Sequence, residues 1–216
     1  MIKLYGVPLS PFARKALLAL DYKELEYENV PTFPGDESPE FRAISPLGKI
    51  PVLEHDGFTI PDTSVICRYL DRIAPDKSIY PTDPQLEAKA GWLEEYADSR
   101  LVETCAVLFR ERMLNPKMFN QPTDEAAVQN ILGNAMPECL AYLESLVPEA
   151  GYLIGNSLSI ADIAITTCFI QARYGGFDVD GSVAPKLRSY LDRAFAAPLV
   201  TKRLEAERAA MPPGLL

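Results

Sequence analysis

A proline-rich stretch over residues 74–84 places the strongest constraint on the fold, because it separates two unlike parts of the sequence. Before it, short strand-like runs alternate with amphipathic helical patterns in the order β-α-β-α-β-β-α. After it, apolar residues recur at helical spacing only. The sequence therefore predicts an α/β domain over residues 1–76, a linker over 77–85 and an all-helical domain over 86–216.

Charge and hydropathy exclude several classes of partner. The chain of 216 residues has a formal net charge of -9 and no cluster of Lys and Arg, which argues against nucleic-acid binding. No apolar run approaches the roughly 18 residues of a membrane-spanning helix, and the first residues lack the apolar core of a signal peptide. We therefore predict a cytoplasmic protein with neither a nucleic-acid nor a membrane partner.

The cysteines and the single histidine argue against two kinds of chemistry. Cys67, Cys105, Cys139 and Cys168 are widely spaced in apolar helical contexts, which predicts buried, reduced thiols and neither a disulfide framework nor a metal site. His55 lies in a predicted hairpin turn. Since no second histidine exists, Ser-His-Asp catalysis is not expected.

Ser10 stands at the start of the first predicted helix. Pro8 ends a short strand-like run, and Ser10 followed by Pro11 provides the N-cap and first residue that helices prefer. The first N–H groups of a helix lack intrahelical partners and carry partial positive charge. This position therefore predicts an anion site beside the Ser10 hydroxyl.

Two further stretches are unusual for their predicted structure. Pro51 lies inside the apolar run 49–54, where it cannot donate to a strand ladder and where a cis bond to Ile50 is allowed. Asp62 and Thr63 begin the third predicted helix, whose N-terminus is a second potential anion site. The predicted apolar face of this helix consists of Val65, Ile66, Tyr69, Leu70 and Ile73.

Four segments in this order resemble the cytosolic glutathione transferases. Residues 10–13 (SPFA) are similar to the active loop of serine-type bacterial members and of the tau, zeta and omega classes. Residues 48–53 (GKIPVL) resemble the segment with the family's cis-proline, and residues 62–70 (DTSVICRYL) resemble its Glu/Asp-Ser motif. Residues 155–163 resemble a capping motif that opens a central helix. The resemblance implies a thioredoxin-like N-terminal domain followed by an all-helical domain.

The resemblance also implies roles for individual residues. Ser10 would donate a hydrogen bond to the sulfur of glutathione and favour the thiolate, which is the reactive form. The Ile50 backbone would pair with the cysteinyl residue. Thr63 would bind the γ-glutamyl carboxylate, and Asp62 the ammonium group. Phe12, Lys49 and Pro51 complete the predicted glutathione-binding set, with Lys49 near the glycyl carboxylate.

Two features leave alternatives open at this site. Tyr5 on the first predicted strand is a rival hydrogen-bond donor to the sulfur, since some classes of the family use a tyrosine there. Many members also carry a basic residue at the start of the second helix, where this chain has Ser38. The contacts of the glycyl end are therefore undetermined by the sequence.

The implied activity is conjugation of the glutathione thiolate to a hydrophobic electrophile, with glutathione as co-substrate and no metal. Alternatives are a glutathione-dependent peroxidase, isomerase or dehalogenase, and a non-catalytic glutathione- or ligand-binding protein. Serine in place of cysteine at position 10 disfavours thiol transfer. Candidates for the second-substrate pocket are Phe12, Tyr96, Arg100, Phe109, Arg112 and Tyr174, while Trp92 is expected to pack internally.

The resemblance further implies a homodimer, packed through the third helix and the first long helix. We expect contacts between basic residues of the former and acidic residues of the latter. The candidates are Arg68 and Arg72 on one side and Glu94, Glu95 and Asp98 on the other.

Overall fold

The computed structural model describes residues 1–211 and 215, so the last residues of the predicted helical domain, 212–214 and 216, lie outside the described part. The chain divides into two compact units, Met1–Pro81 and Thr82–Leu216. Their boundary falls inside the predicted linker 77–85.

The first unit has the predicted order of strands and helices. Its elements are β1 (Ile2–Tyr5), α1 (Pro11–Tyr22), β2 (Tyr27–Val30), α2 (Pro39–Ile44), β3 (Val52–His55), β4 (Phe58–Ile60), α3 (Thr63–Ile73) and a 3₁₀ turn (Pro75–Lys77). The four strands form one mixed sheet in the order β2-β1-β3-β4. Strand β1 pairs in parallel with β2 and antiparallel with β3, which pairs antiparallel with β4.

The core of this unit lies where α1 and α3 pack against each other and against the sheet. Leu4 of β1 and its partner Leu53 of β3 are completely buried, as are Leu17 of α1 and Ile66 of α3. The alternation of buried and half-buried residues along β1 is the pattern of a strand with one face on the core.

The apolar face predicted for α3 is partly wrong. Its buried residues are Thr63, Ile66, Cys67 and Leu70, whereas Val65 is 51 % exposed. Successive helical residues are rotated by about 100°, so Val65 points away from the core side on which Ile66 lies. Ile73, the last residue of the helix, is exposed as well.

In the described residues of the second unit, every regular element is a helix. Its helices are α4 (Pro84–Tyr96), α5 (Val102–Phe109), α6 (Asn115–Lys117), α7 (Glu125–Asn130), α8 (Met136–Leu146), α9 (Ile160–Tyr174), α10 (Pro185–Ala196) and α11 (Pro198–Ala210). Three π turns, Ala97–Leu101, Arg110–Leu114 and Ile131–Ala135, interrupt the two long helices that the sequence predicts. No helix in the described residues is long and apolar enough to cross a bilayer.

Helix α9 is the centre of the second unit, as its nearly uniform apolar pattern predicts. It is buried along most of its length and packs against α4, α5 and α10. Asp162 in its first turn accepts hydrogen bonds from the Ser159 N–H at 2.9 Å, the Leu153 N–H at 2.8 Å and the Tyr190 hydroxyl at 2.9 Å. This saturated carboxylate fixes the start of α9.

Candidate functional site

The Ser10 side chain caps α1, and its hydroxyl proton has no acceptor among the residues that the structure describes. Its Oγ accepts a hydrogen bond from the Ala13 N–H at 3.4 Å, a long contact, and its carbonyl accepts from the Arg14 N–H at 2.9 Å. Within the described residues, the half-buried Ser10 hydroxyl donates to no acceptor. A hydroxyl proton at the positive end of a twelve-residue helix can therefore be given to an anion.

Gly6 allows the loop before α1 to lie against the segment before β3. A Cβ atom on Gly6 would stand 3.3 Å from the Cβ of Ala13, 3.7 Å from the Cβ of Ile50 and 3.7 Å from the Cα of Pro51. The Ile50–Pro51 peptide bond is cis. The absence of a side chain at Gly6 thus brings the predicted cysteinyl contact, Ile50, close to the start of the helix that Ser10 caps.

The Ile50 backbone has spare hydrogen-bonding capacity. Ile50 and Pro51 are buried, and β3 begins only at Val52. Neither the N–H nor the carbonyl of Ile50 bonds to another residue of the described chain. A peptide backbone can pair with both groups, as an added strand does.

The start of α3 carries the predicted γ-glutamyl contacts. Asp62 is exposed and caps the helix by accepting from the Val65 N–H at 3.0 Å, whereas Thr63 is buried. Next to them, the Ser64 hydroxyl accepts from the ammonium of the buried Lys15 at 3.2 Å. One Asp62 carboxylate oxygen is thus already used as a cap, and the helix start is tied to α1 through Lys15.

The remaining two predicted residues differ in their surroundings. Lys49 is exposed, and its carbonyl accepts from the Ser45 hydroxyl at 2.7 Å. Phe12 is half-buried in the first turn of α1. Both belong to the same unit as Ser10, Ile50 and Thr63.

The Tyr5 hydroxyl is committed to a protein partner. It donates to the Glu54 carboxylate at 2.7 Å, and this hydrogen bond, with burial, raises the pKa of Tyr5 to about 12. Since the proton points at Glu54, the geometry favours Ser10 over Tyr5 as a donor to sulfur.

The histidine and the cysteines have structural surroundings. A nitrogen of His55, at the end of β3, lies 2.8 Å from the Tyr69 hydroxyl. All four cysteines are buried free thiols, as predicted. Across residues 1–211 and 215, no three His, Cys, Asp or Glu side chains are grouped so that they could hold a metal ion.

Family models match both units. The model of the glutathione S-transferase N-terminal domain matches residues 4–78, and that of the C-terminal domain matches residues 109–207. The chain belongs to the glutathione S-transferase family. The thioredoxin-like unit with its four-stranded mixed sheet, followed by an all-helical unit, is the fold of this family, so the predicted fold class is confirmed.

Proteins with different names are similar to this chain. Protein LigF of Sphingobium sp. strain SYK-6 is 28 % identical, with 96 % of this chain and 94 % of LigF covered. The crystal structure of the same organism's beta-etherase LigF matches with a TM-score of 0.74 at 26 % identity, covering 95 % and 99 % of the two chains. A glutathione S-transferase from Rhodospirillum rubrum F11 matches with a TM-score of 0.83 at 29 % identity, covering 94 % and 92 %.

The structure brings a basic residue that the sequence did not single out against the loop that leads to Ile50. The Arg42 guanidinium in α2 lies against Gly48, so close that a Cβ atom on Gly48 would stand 2.8 Å from the Arg42 Cζ. The sequence has no basic residue at Ser38, but Arg42 follows it by one helical turn. In the sequence, this contact is indicated by the position of Arg42 one helical turn after Ser38. The contact becomes recognisable only in the structure, where the turn at Gly48 returns to α2.

Two predictions outside the first unit need correction. Trp92 is 58 % exposed instead of packed internally, and its indole N–H donates to the Tyr142 hydroxyl at 2.6 Å. Glu94, a predicted dimer contact, is completely buried within the single chain and is unable to face a partner. The two residues are only two positions apart on α4, and helical rotation places them on opposite sides of it.

Proposed function

We propose that this protein is a glutathione transferase of the serine type, in which the Ser10 hydroxyl stabilises the glutathione thiolate. The observation that carries the proposal is the Ser10 hydroxyl proton, which has no acceptor in the described chain and lies at the N-terminus of α1. A free thiol has a pKa of about 8.5, so a donor at the positive end of a helix increases the fraction of thiolate at neutral pH.

On this proposal glutathione lies across three segments of the first unit. The Ile50 backbone pairs with the cysteinyl residue, because its N–H and carbonyl have no partner in the described chain. The start of α3 holds the γ-glutamyl end, with Thr63 at the carboxylate and Asp62 at the ammonium group. Phe12, Pro51 and Lys49 border the peptide, with Lys49 towards the glycyl end.

The reaction is a displacement or addition at carbon. The sulfur of the thiolate forms a bond to an electrophilic carbon of a hydrophobic substrate. In a displacement, a leaving group departs with the electron pair of the broken bond. In an addition, the electron pair of the attacked double bond moves to the neighbouring atom, which then takes a proton from water. Ser10 donates a hydrogen bond to sulfur in the bound state and does not itself attack. The chain therefore needs no histidine near Ser10.

A second candidate reaction is cleavage of an ether. The support is the match to LigF, whose crystal structure is named a beta-etherase, over nearly the full length of both chains. Here the thiolate would attack the carbon of the ether, and the oxygen would leave with the bonding pair as an alkoxide or phenolate. A glutathione-dependent peroxidase, isomerase or dehalogenase and a non-catalytic binding protein remain further alternatives within the family.

The deciding experiment combines binding with a substrate panel. We expect the protein to be retained on immobilised glutathione and to turn over at least one member of a panel of aryl halides, epoxides, hydroperoxides and β-aryl ethers. Retention without turnover of any member would favour the non-catalytic alternative. No retention and no turnover would overturn the proposal altogether.

We also propose that the transferase is a cytoplasmic homodimer. An open groove of about 440 Å³ runs along β4 and α3, with an apolar floor that includes Phe58, which is 58 % exposed, and Val65. Arg68 and Arg72 border this groove, and Glu95 and Asp98 of a second copy supply the opposite charge. Size-exclusion chromatography with light scattering tests this proposal, and a monomer mass at micromolar concentration would exclude it.

A further inference from the structure

Asn29 of β2 is a polar residue at a position that favours an apolar one. It pairs in parallel register with Leu4 of β1, so it lies on the same face of the sheet as a completely buried residue. Its Oδ1 is buried and has no hydrogen-bond partner among the residues that the structure describes. Asparagine is depleted in strands, and a buried acceptor without a donor lowers stability. This combination indicates a role other than packing.

The amide nitrogen of Asn29 contacts the loop that leads to Ser10. The Asn29 Nδ2 donates to the Gly6 carbonyl at 3.3 Å, and Gly6 directly follows β1. Since a carbonyl only accepts hydrogen bonds, the amide must turn its NH₂ group towards Gly6, which leaves Oδ1 buried without a donor in the described chain. The unpaired Oδ1 is therefore a consequence of the contact with Gly6.

Three hydrogen bonds fix the loop between β1 and the helix cap. The Gly6 N–H donates to the Val30 carbonyl at 3.0 Å, and the Ser10 N–H donates to the Val7 carbonyl at 3.0 Å. The Asn29 contact lies between these two in the chain and holds the peptide plane that joins Gly6 to Val7. It is the one of the three that a change of side chain can remove.

A rotation of this peptide plane would displace the Ser10 hydroxyl relative to Ile50. A Cβ atom on Gly6 would stand 3.3 Å from the Ala13 Cβ and 3.7 Å from the Ile50 Cβ, so the loop is in close contact with α1 and with the segment before β3. The Ser10 Oγ accepts from the Ala13 N–H at 3.4 Å, a long contact that holds the hydroxyl weakly. The position of the hydroxyl therefore depends on the backbone of the loop.

We propose that Asn29 is a positioning residue for the transferase reaction, which acts through the Gly6 carbonyl to keep the Ser10 hydroxyl directed at the glutathione sulfur. Asn29 does not act by contact with the peptide, because its unpaired Oδ1 is buried. The inference rests on the proposed function, since it assumes that Ser10 stabilises the thiolate. It gives β2, which carries none of the residues proposed to bind glutathione, a part in the reaction.

The test compares Asn29→Leu and Asn29→Ala with the natural protein. Both variants remove the donor to Gly6 and the unpaired Oδ1 together. We expect kcat/KM at pH 7 to fall about tenfold and the ultraviolet titration of the bound glutathione thiolate to move to higher pH, because a displaced hydroxyl donates a weaker hydrogen bond. The melting temperature of Asn29→Leu should not fall, since leucine leaves no buried acceptor unpaired. Asn29→Gln, which keeps an amide donor, should recover part of the activity.

A double-mutant cycle shows whether Asn29 acts through Ser10. In the Ser10→Ala background, Asn29→Leu should change kcat/KM by less than about twofold, because the hydroxyl that Asn29 positions is absent. Asn134→Leu is the matched control. It removes another asparagine whose Nδ2 donates to a backbone carbonyl, that of Asn130 at 3.1 Å in the second unit, and should leave kcat/KM and the thiolate titration unchanged.

The outcomes separate the inference from the proposed function. If Asn29→Leu lowers kcat/KM by the same factor with and without the Ser10 hydroxyl, or only in proportion to the melting temperature, Asn29 merely supports the fold. The inference is then wrong while the proposed function stands. The same holds if the thiolate titration does not move. If Ser10→Ala keeps the thiolate absorbance of the natural protein, the proposed function fails, and the inference falls with it.

Discussion

Two helices of the first unit begin with nearly the same five residues, SPFAR at 10–14 and SPEFR at 38–42. The local structure that results is the same at both. The Ser10 Oγ accepts from the Ala13 N–H at 3.4 Å, and the Ser38 Oγ accepts from the Phe41 N–H at 3.3 Å. Each serine is an N-cap followed by a proline at the first helical position. Local geometry alone therefore gives no reason to assign catalysis to one and not to the other.

The two serines differ in whether a carboxylate of the protein itself already lies at the helix cap. The Asp36 carboxylate accepts from the Ser38 N–H at 2.8 Å, and hydrogen bonds from the Ser38 side chain and backbone hold the pKa of Asp36 below its ordinary value. The Ser10 hydroxyl has no such acceptor in the described residues. The helix that Ser38 caps has six residues, half the twelve of α1. One cap is thus filled by the protein's own anion, and the other is open.

The largest expected difference between the two serines is kinetic. Ser10→Ala should lower kcat/KM by about 100-fold, since it removes a donor to the charged sulfur. Ser38→Ala should lower it by less than about threefold, because Asp36 already occupies that cap. Initial rates with glutathione and a chlorinated aromatic substrate measure both. Ultraviolet thiolate absorbance of bound glutathione should disappear in Ser10→Ala only, and equal losses in the two variants would remove the distinction.

Helix α3 of the first unit begins at Thr63 and is capped by Asp62 instead of a serine. Thr63→Val should raise the Kd of glutathione about tenfold and leave kcat nearly unchanged, because the γ-glutamyl end is bound equally in the ground and transition states. Thr201→Val, which changes an exposed threonine on α11, is the matched control. A fall in kcat with an unchanged Kd would place Thr63 in the chemistry and contradict its assigned role.

Stability should not distinguish the two serines. Ser10→Ala and Ser38→Ala should each lower the free energy of unfolding by about 1 kcal/mol, since each removes one N-cap of similar geometry. Urea unfolding followed by circular dichroism gives both values. Ser38→Asn, which retains a capping side chain, should recover most of the loss. A much larger loss for Ser10→Ala would mean that its kinetic effect reflects a damaged fold.

The smallest kinetic effect is expected for Tyr5, the alternative hydrogen-bond donor to the sulfur of glutathione. Tyr5→Phe should change kcat/KM by less than about threefold, because the Tyr5 hydroxyl already donates to Glu54. Its raised pKa, about 12, adds stability that is present below pH 10 and lost as the pH rises through 12. Alkaline unfolding of the natural protein and of Tyr5→Phe should therefore differ in that range only. A large kinetic loss at neutral pH would restore Tyr5 as the donor.

Sequence patterns predicted the parts of the structure that depend on neighbours in the chain. The Ser10 and Asp62 caps, the order of strands and helices in the first unit and the buried helix from Ile160 all follow from signals that span a few residues. Such signals act through hydrogen bonds and apolar spacing within one or two turns, so they are readable without a tertiary structure.

The tertiary structure decided which of these local features face a site and which are already used. It separates Ser10 from Ser38 through Asp36, commits Tyr5 to Glu54 across 49 positions of sequence, and brings Arg42 against Gly48. It also buries Glu94 and exposes Trp92, against the sequence prediction. The sequence by itself thus determined the helix caps, the fold class and the family. Only the tertiary structure decided whether each of these polar groups already has a hydrogen-bond partner. Its partner is distant in the sequence, and a hydrogen bond forms only when folding brings the two atoms within about 3.5 Å.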